Sequence, residues 1–364
     1  MRSLLLTLLL ASSLSVGCAI LEDEQTTTDT GGVTTSPAPA SPAAEESTFG
    51  PGNFMTAGLD HNCALRADSG DLECWGGDEG QSQAPTNPNE PNYLGSGVRS
   101  VSAGYYHTCA IKANDMLVCW GVEPGSSYYG QTNVPADLGK VKSVAAGTYH
   151  TCVIKADDSL RCWGSDEFQQ VSGVPFDLGS VKSVVAHDHT CVIKADDEVA
   201  CWGNATGVTA GLDKTHPPAD LGKVKSIAAG TEHTCAIKAD DTLECWGDRW
   251  HGLNIRGILM YENGDLRGFD GVKIDLGSGL KSVNVGRDHG CVIKADDTVA
   301  CWGDNGITPG DGIVVPPIDL GEVKSIHSSD YHNCARKTDD TIVCWGGAYN
   351  QGPGLTPTWT VLNN

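Results

Sequence analysis

Seven histidines and fourteen cysteines recur in one phrase along the 364-residue chain. In each copy a His stands two residues before a Cys: His61 before Cys63, His107 before Cys109, His150 before Cys152, His189 before Cys191, His233 before Cys235, His289 before Cys291 and His332 before Cys334. Each is answered by a Cys-Trp-Gly that begins at Cys74, Cys119, Cys162, Cys201, Cys245, Cys301 or Cys344. Such groups could hold a metal, and paired thiols could oxidise to disulfides. Zinc sites draw on Cys or His pairs two to four residues apart, and a His-x-Cys step whose partner cysteine lies ten residues on does not supply that spacing. No Gly-x-Ser-x-Gly, phosphate-binding loop or His-Glu-x-x-His motif appears. No catalytic residue is therefore assigned, and no cofactor or metal is expected.

The third copy, GTYHTCVIKADDSLRCWG from Gly147 to Gly164, shows what must position these cysteines. Alternation puts Cys152 and Ile154 on one face and Val153 and Lys155 on the other. After Ala156-Asp157-Asp158, Leu160 and Cys162 return to the first face. This is a β-hairpin with a three-residue turn. Cys152 then lies opposite Cys162, and a cross-strand pair brings the Cα atoms to about 4.5–5.5 Å, within reach of a disulfide. Six identical spacings, with Ser69-Gly70 lengthening the turn of the first copy, predict seven bonds inside seven repeats. Each closure contributes on the order of 2–3 kcal/mol through the unfolded state.

Successive first cysteines are 46, 43, 39, 44, 56 and 43 residues apart, so the core unit is constant and one connection varies. Ahead of each hairpin stands another strand, as in VKSVAAG at Val141 to Gly147, and ahead of that an Asp-Leu-Gly turn. Three strands per unit, with a weak fourth near the Val-Pro steps, describe a blade. Seven antiparallel blades predict an all-β, seven-bladed β-propeller with one intrablade disulfide per blade.

Cys18 is the cysteine left over. Residues 1–17 have one positive charge and an apolar run from Leu4 to Ala11, too short for a permanent span, and read as a signal peptide. Leu14 to Cys18 resembles a bacterial lipobox, which would make Cys18 the lipidated first residue of a lipoprotein; free secretion is the alternative. By resemblance to Gram-negative sorting rules, Ala19 favours the outer membrane. Residues 18–50, rich in Thr, Ser, Pro and Ala, are expected to be a tether, and residues 51–364 the propeller. The net charge of −22 makes nucleic acid and anionic membrane poor partners, the lipid anchor aside, and suits cationic ones.

The recurring G-x-x-H-T-C-x-I-K-x-D-x-x-L-x-C-W-G resembles the regulator of chromosome condensation repeat in a bacterial, Cys-containing form. The Gly-Gln-Leu-Gly loop of that family survives only in part at Gly80-Gln81 and Gly130-Gln131, and the fourth copy lacks the Gly before its His. The GQTNVP and SVAAGTYH phrasing is also similar to a secreted bacterial inhibitor of β-lactamases built on the same propeller. The namesake's role, nucleotide exchange on a nuclear GTPase, fits poorly with an export signal, disulfides and strong acidity. The reading that follows is a surface binding or scaffold propeller, monomeric, with a protein or cell-wall partner. The alternative is an inhibitor of an extracellular enzyme, and an enzyme without a recognisable motif stays open.

Three groups of residues remain. The repeated histidines are expected to pack between blades with their nitrogens bonded to backbone, while His187 and His189 are expected on one strand face. The Asp-Asp pairs, such as Asp157 and Asp158, are expected to be turn formers rather than calcium ligands. Trp250, Ile258, Met260 and Tyr261 lie in the longest insertion, as a docking finger or a hairpin folded on its own blade. Finally, the residues just before each His vary: Asp60, Tyr105 and Tyr106, Tyr149, Asp188, Glu232, Asp288, and Asp330 and Tyr331. By resemblance to the secreted inhibitor, this turn lies near the axis on one face, where these residues would form a partner-binding circle.

Overall fold

The computed structural model describes residues 54–346 apart from 67–68, 78–79, 90–92, 122–127, 206–212, 248–275, 277 and 304–311. The chain divides into two units, Met1–Ser47 and Thr48–Asn364, and every described residue belongs to the second. Cys18, the signal and tether segments, and Trp250, Ile258, Met260 and Tyr261 lie outside the described residues.

Seven three-stranded antiparallel sheets follow one another, each built from consecutive strands. In blade three these are an inner strand (Val141–Ala146), a central strand (His150–Lys155) and an outer strand (Leu160–Gly164). The other blades span 55–76, 100–121, 181–203, 224–247, 282–303 and 323–346. The protein is a seven-bladed β-propeller. The weak fourth strand is absent among the described residues: after Val134 and Val174 the chain turns, with Leu138 and Leu178 donating their N–H groups to the carbonyls of Pro135 and Pro175. Proline lacks the N–H that a continuing ladder requires.

In blades three to seven each hairpin turn follows from its two acids. Lys155 donates to the Ser159 carbonyl and Asp158 to that of Lys155, which leaves a three-residue loop with Asp158 at φ 65°. Aspartate tolerates this left-handed region better than most residues. Asp157 instead accepts the Ser159 N–H at 3.1 Å, and Asp196, Asp240, Asp296 and Asp339 do the same in their blades. The second acid of each pair binds the inner-strand lysine, as in Lys142–Asp158 (2.5 Å) and Lys182–Asp197 (2.6 Å).

The turn also sets the register. Since 155 and 159 form a hydrogen-bonded pair, 152 and 162 form a non-hydrogen-bonded one, the closer kind. All seven disulfides then form as the spacing predicts. Cys63 bonds to Cys74, Cys109 to Cys119, Cys152 to Cys162 and Cys191 to Cys201. Cys235 bonds to Cys245, Cys291 to Cys301 and Cys334 to Cys344. The Cα–Cα distances are 4.0–4.1 Å, shorter than the separation expected from the sequence. The first cysteine of every pair, on the central strand, is fully buried.

Blades join through side chains. The cystine face of blade three, with Cys152, Ile154 and Cys162, packs on Val181, Val184, Val192 and Trp202 of blade four. The opposite face, with Val153 and Trp163, packs on Cys109, Ile111, Leu117 and Cys119 of blade two. Cys191 and Cys201 meet Trp246 of blade five in the same way, Cys235 and Cys245 meet Trp302 of blade six, and Cys291 and Cys301 meet Trp345 of blade seven. Ring closure repeats the pattern: Cys334 and Ile342 meet Met55, Ala64 and Trp75. Each blade therefore buries its cystine under the tryptophan face of the next, where the apolar area leaves water.

The histidines sit in these seams, though with partners other than the expected backbone. Nε2 of His61, His107, His150 and His189 lies 2.7–2.8 Å from Oγ1 of Thr108, Thr151, Thr190 and Thr234 in the next blade. His289 and His332 use Asn333 and Asn62 in the same way. Blade six carries Gly290 instead, and His233 bonds to the Arg287 backbone. Thr151 Oγ1 and Trp163 Nε1 both donate to the Gln131 carbonyl, at 3.0 and 2.9 Å, which pins the interblade connection. Burial lowers the pKa of His61, His107 and His233 to about 3 and of His150 and His332 to about 4, so these rings are neutral at physiological pH.

Candidate binding face

The short turn between inner strand and central strand carries the chain past the axis. Its first position is Gly58, Gly104, Gly147, Gly230 or Gly286 in five blades, and a Cβ at Gly104 would overlap the Gly147 carbonyl of the next blade. This close approach explains the glycines. Blade four is one residue shorter here and places His187 at the glycine position, with its N–H donating to the His189 carbonyl. Blade seven places Ser329 there, donating to the His332 carbonyl. His187 is thus in the bend and not on the strand beside His189, contrary to the sequence expectation. The missing residue changes which way the backbone faces.

The two irregular blades meet on the axis. Asp330 Oδ1 accepts from Thr231 Oγ1 at 3.0 Å and lies 3.3 Å from His187 Nε2, and Tyr105 donates its phenolic proton to Asp330 Oδ2. The Tyr105 and His187 rings also touch edge to face at 5.1 Å. Blades two, four, five and seven are thereby tied together in a plug. Burial opposes the charge on His187, yet the bond to Asp330 and the charges of Asp330 and Asp188 outweigh it and raise its pKa above 6.5. Burial likewise opposes the Asp330 carboxylate, but His187, Tyr105 and Thr231 hold its pKa below the usual 3.8. Burial and then the Asp330 charge push the Tyr105 phenol upward.

Asp330 is 5% exposed, so within the proposed circle it belongs to the plug beneath the surface. The residues immediately before the histidines, Asp60, Tyr106, Tyr149, Asp188, Glu232, Asp288 and Tyr331, are all partly exposed. They divide by side. Tyr106 stacks on Tyr149 (5.6 Å, 20°), and Tyr129, 44% exposed, meets Tyr149 edge-on at 5.1 Å. Burial, then the neighbouring Tyr106, raises the Tyr149 pKa to about 12. Across the ring, Arg287 donates to the Tyr331 hydroxyl at 2.8 Å and lies 3.6 Å from Asp288. Thr148 donates to Asp188 at 2.5 Å. Sequence reasoning missed Tyr129, Arg287, Thr231 and the plug role of His187; only the departures from Gly at 187 and 329 signalled it.

Ser329 Oγ lies 2.8 Å from His332 Nδ1, whose Nε2 is 2.8 Å from Asn62. The order resembles a nucleophile, base and orienting group. Its His332–Asn62 half is the interblade bond that other seams make, and Ser329 is 6% exposed. The arrangement is seam packing.

The fold is a seven-bladed propeller, and this face has a tyrosine side and a charged side. The sequence profile of the Regulator of chromosome condensation (RCC1) repeat matches residues 98–131, 141–170, 224–248 and 280–306, in blades two, three, five and six. No curated protein matches the chain by sequence. Among solved structures, the entire ectodomain of the Physcomitrella patens receptor kinase CR4 is 22% identical, with 81% of this chain and 73% of that one covered at a TM-score of 0.57. The CRINKLY WD40 ectodomain of the Arabidopsis thaliana receptor kinase ACR4 is 23% identical over 81% and 95%, at 0.56. Prp20p of Saccharomyces cerevisiae, described with its binding to Gsp1p and histones, is 18% identical over 84% and 85%, at 0.57. At these identities the likeness is one of fold.

Proposed function

We propose that this chain is an exported propeller, held at the bacterial cell surface by lipid on Cys18, that binds a protein or wall-associated partner through the Tyr106–Tyr149–Tyr331 face. The observation that carries this is the tyrosine ladder in which Tyr106 and Tyr149, partly exposed on a turn whose frame is otherwise repeated, meet Tyr129 of the interblade connection. Tyrosine offers rigid contact area at low entropy cost, and the flanking carboxylates steer cationic groups. Seven disulfides, one in each blade, support an oxidising compartment. The similar receptor-kinase structures are likewise ectodomains.

The test is capture from the organism's envelope and medium with wild type and with Tyr106→Ala/Tyr149→Ala/Tyr331→Ala. The triple variant should keep its melting temperature and lose the partner; unchanged capture would remove this face from consideration. Recovery of an enzyme whose activity falls on binding would turn the reading toward inhibition. Labelled fatty acid should enter the wild type and be absent from Cys18→Ser.

A further inference from the structure

The inner strands of the seven blades enclose a cavity of about 770 Å³ along the axis, closed at one end by the Tyr105–Asp330–His187 plug. One strand position comes level in every blade, the residue paired with the first cysteine of its central strand. It is Thr56, Ser102, Ala145, Val185, Ala228, Asn284 and His327 in blades one to seven, and all seven line the cavity. Around the ring, blades six, seven, one and two present polar groups, and blades three, four and five present aliphatic ones. At this level the cavity is therefore two-sided.

On the polar wall, Thr56 accepts the Ala103 N–H at 3.0 Å, Ser102 accepts that of Ala146 at 2.9 Å, and Asn284 donates to the Ile326 carbonyl at 2.8 Å. These bonds hold the side chains and leave hydroxyl protons and the amide oxygen for a ligand. His327 shows no hydrogen bond from its imidazole to another described residue, and burial alone lowers its pKa to about 4. It offers one neutral donor and one acceptor. Charges at both ends are already paired, by Lys142–Asp158 and Lys182–Asp197 near the mouth and by His187–Asp330 at the floor. A charged ligand would lose its water without a counter-charge, and a wholly apolar one would strand the polar wall.

We propose that this cavity binds a neutral saccharide of about two or three sugar units, entering from the Lys–Asp end, with His327 as its hydrogen-bonding anchor and the Ala145–Val185–Ala228 wall against its C–H face. A pyranose has that division, hydroxyls along its edge and C–H groups on its faces. The volume lies within the range of about 300–1,000 Å³ usual for small-molecule sites. The site lies behind the binding face and does not rest on the reading given for it.

The experiment is a titration of the full chain, carrying ¹³C-labelled histidine, with cellobiose, maltotriose, diacetylchitobiose and a digalacturonate. At least one neutral saccharide should shift the His327 resonance saturably, and the digalacturonate should not. His327→Ala should weaken binding about tenfold, the worth of one good hydrogen bond. Val185→Phe, which fills the aliphatic side, should abolish it, and Tyr106→Ala/Tyr149→Ala/Tyr331→Ala should leave it intact. No saturable shift from any saccharide up to about 10 mM, where binding would be weaker than a few kcal/mol, overturns the proposal. So does binding that survives both cavity variants. The wild-type titration alone decides if either variant fails to fold.

Discussion

At the seams between blades, copy after copy of the repeat makes the same bonds, whereas at the axial turn no two copies have the same residues. His107–Thr151, His150–Thr190 and His189–Thr234 are one contact made three times, at 2.7–2.8 Å. The turn just before those histidines reads Gly-Tyr-Tyr, Gly-Thr-Tyr and His-Asp in the same three blades. A seam residue meets an equivalent position of the next blade each time, so nearly one solution serves: the histidine meets Thr in four seams and Asn in two. An axial residue meets all the other blades at once, and two irregularities such as His187 and Asp330 can complete each other across the ring. The seams carry stability, and the axis carries individuality.

The largest expected effect falls on a seam. Trp163→Ala removes a buried indole that covers the blade-two cystine and binds the Gln131 carbonyl, and should cost about 3–5 kcal/mol. Denaturant unfolding measures it; a loss below about 1 kcal/mol would mean that the seams are not where stability resides.

Asp330→Ala should cost about 1–3 kcal/mol, because it leaves His187 and Tyr105 without their acceptor in a buried place. Its pH signature separates plug from seam. Seam histidines such as His107 and His150 have folded pKa values of about 3 and about 4, below the unfolded 6.5. Their stability is complete above pH 6.5 and is lost as pH falls toward 4 and 3. His187 is raised, so its contribution is complete below 6.5 and is lost as pH rises through its folded pKa. His187→Gln should therefore lose more stability, relative to wild type, at pH 5.5 than at pH 8.5. The reverse order would break the distinction.

The smallest effect belongs to the hairpin rim. Lys182→Ala removes an ion pair whose partners are 51% and 41% exposed, and solvent screening should hold its cost within about 0.5 kcal/mol. A thermal melt that moves by many degrees would show that the rim pairs act as a network.

Blade architecture was legible because its causes are local. Alternation from Cys152 to Cys162 around a tight Asp turn determines both strands, their register and the disulfide, and seven repetitions leave few folds that can bury such units. Proline at the Val-Pro steps could have argued against the fourth strand, since its missing N–H is visible in the sequence. The histidine partners were not legible. Thr151 stands next to His150 in the chain, yet the threonine that His150 binds is Thr190, one blade onward.

The sequence by itself determined the blade, the disulfides and the order of the ring, since strand period, turn chemistry and cysteine spacing act over about ten residues. Only the tertiary structure decided that Asp330 is interior, that Tyr129 joins Tyr149, and that Thr56, Ser102, Asn284 and His327 come level on one side of the axial cavity. Tyr105 and Asp330 are 225 residues apart. Closing the ring brings them together, and no local pattern encodes which blades will face each other across an axis.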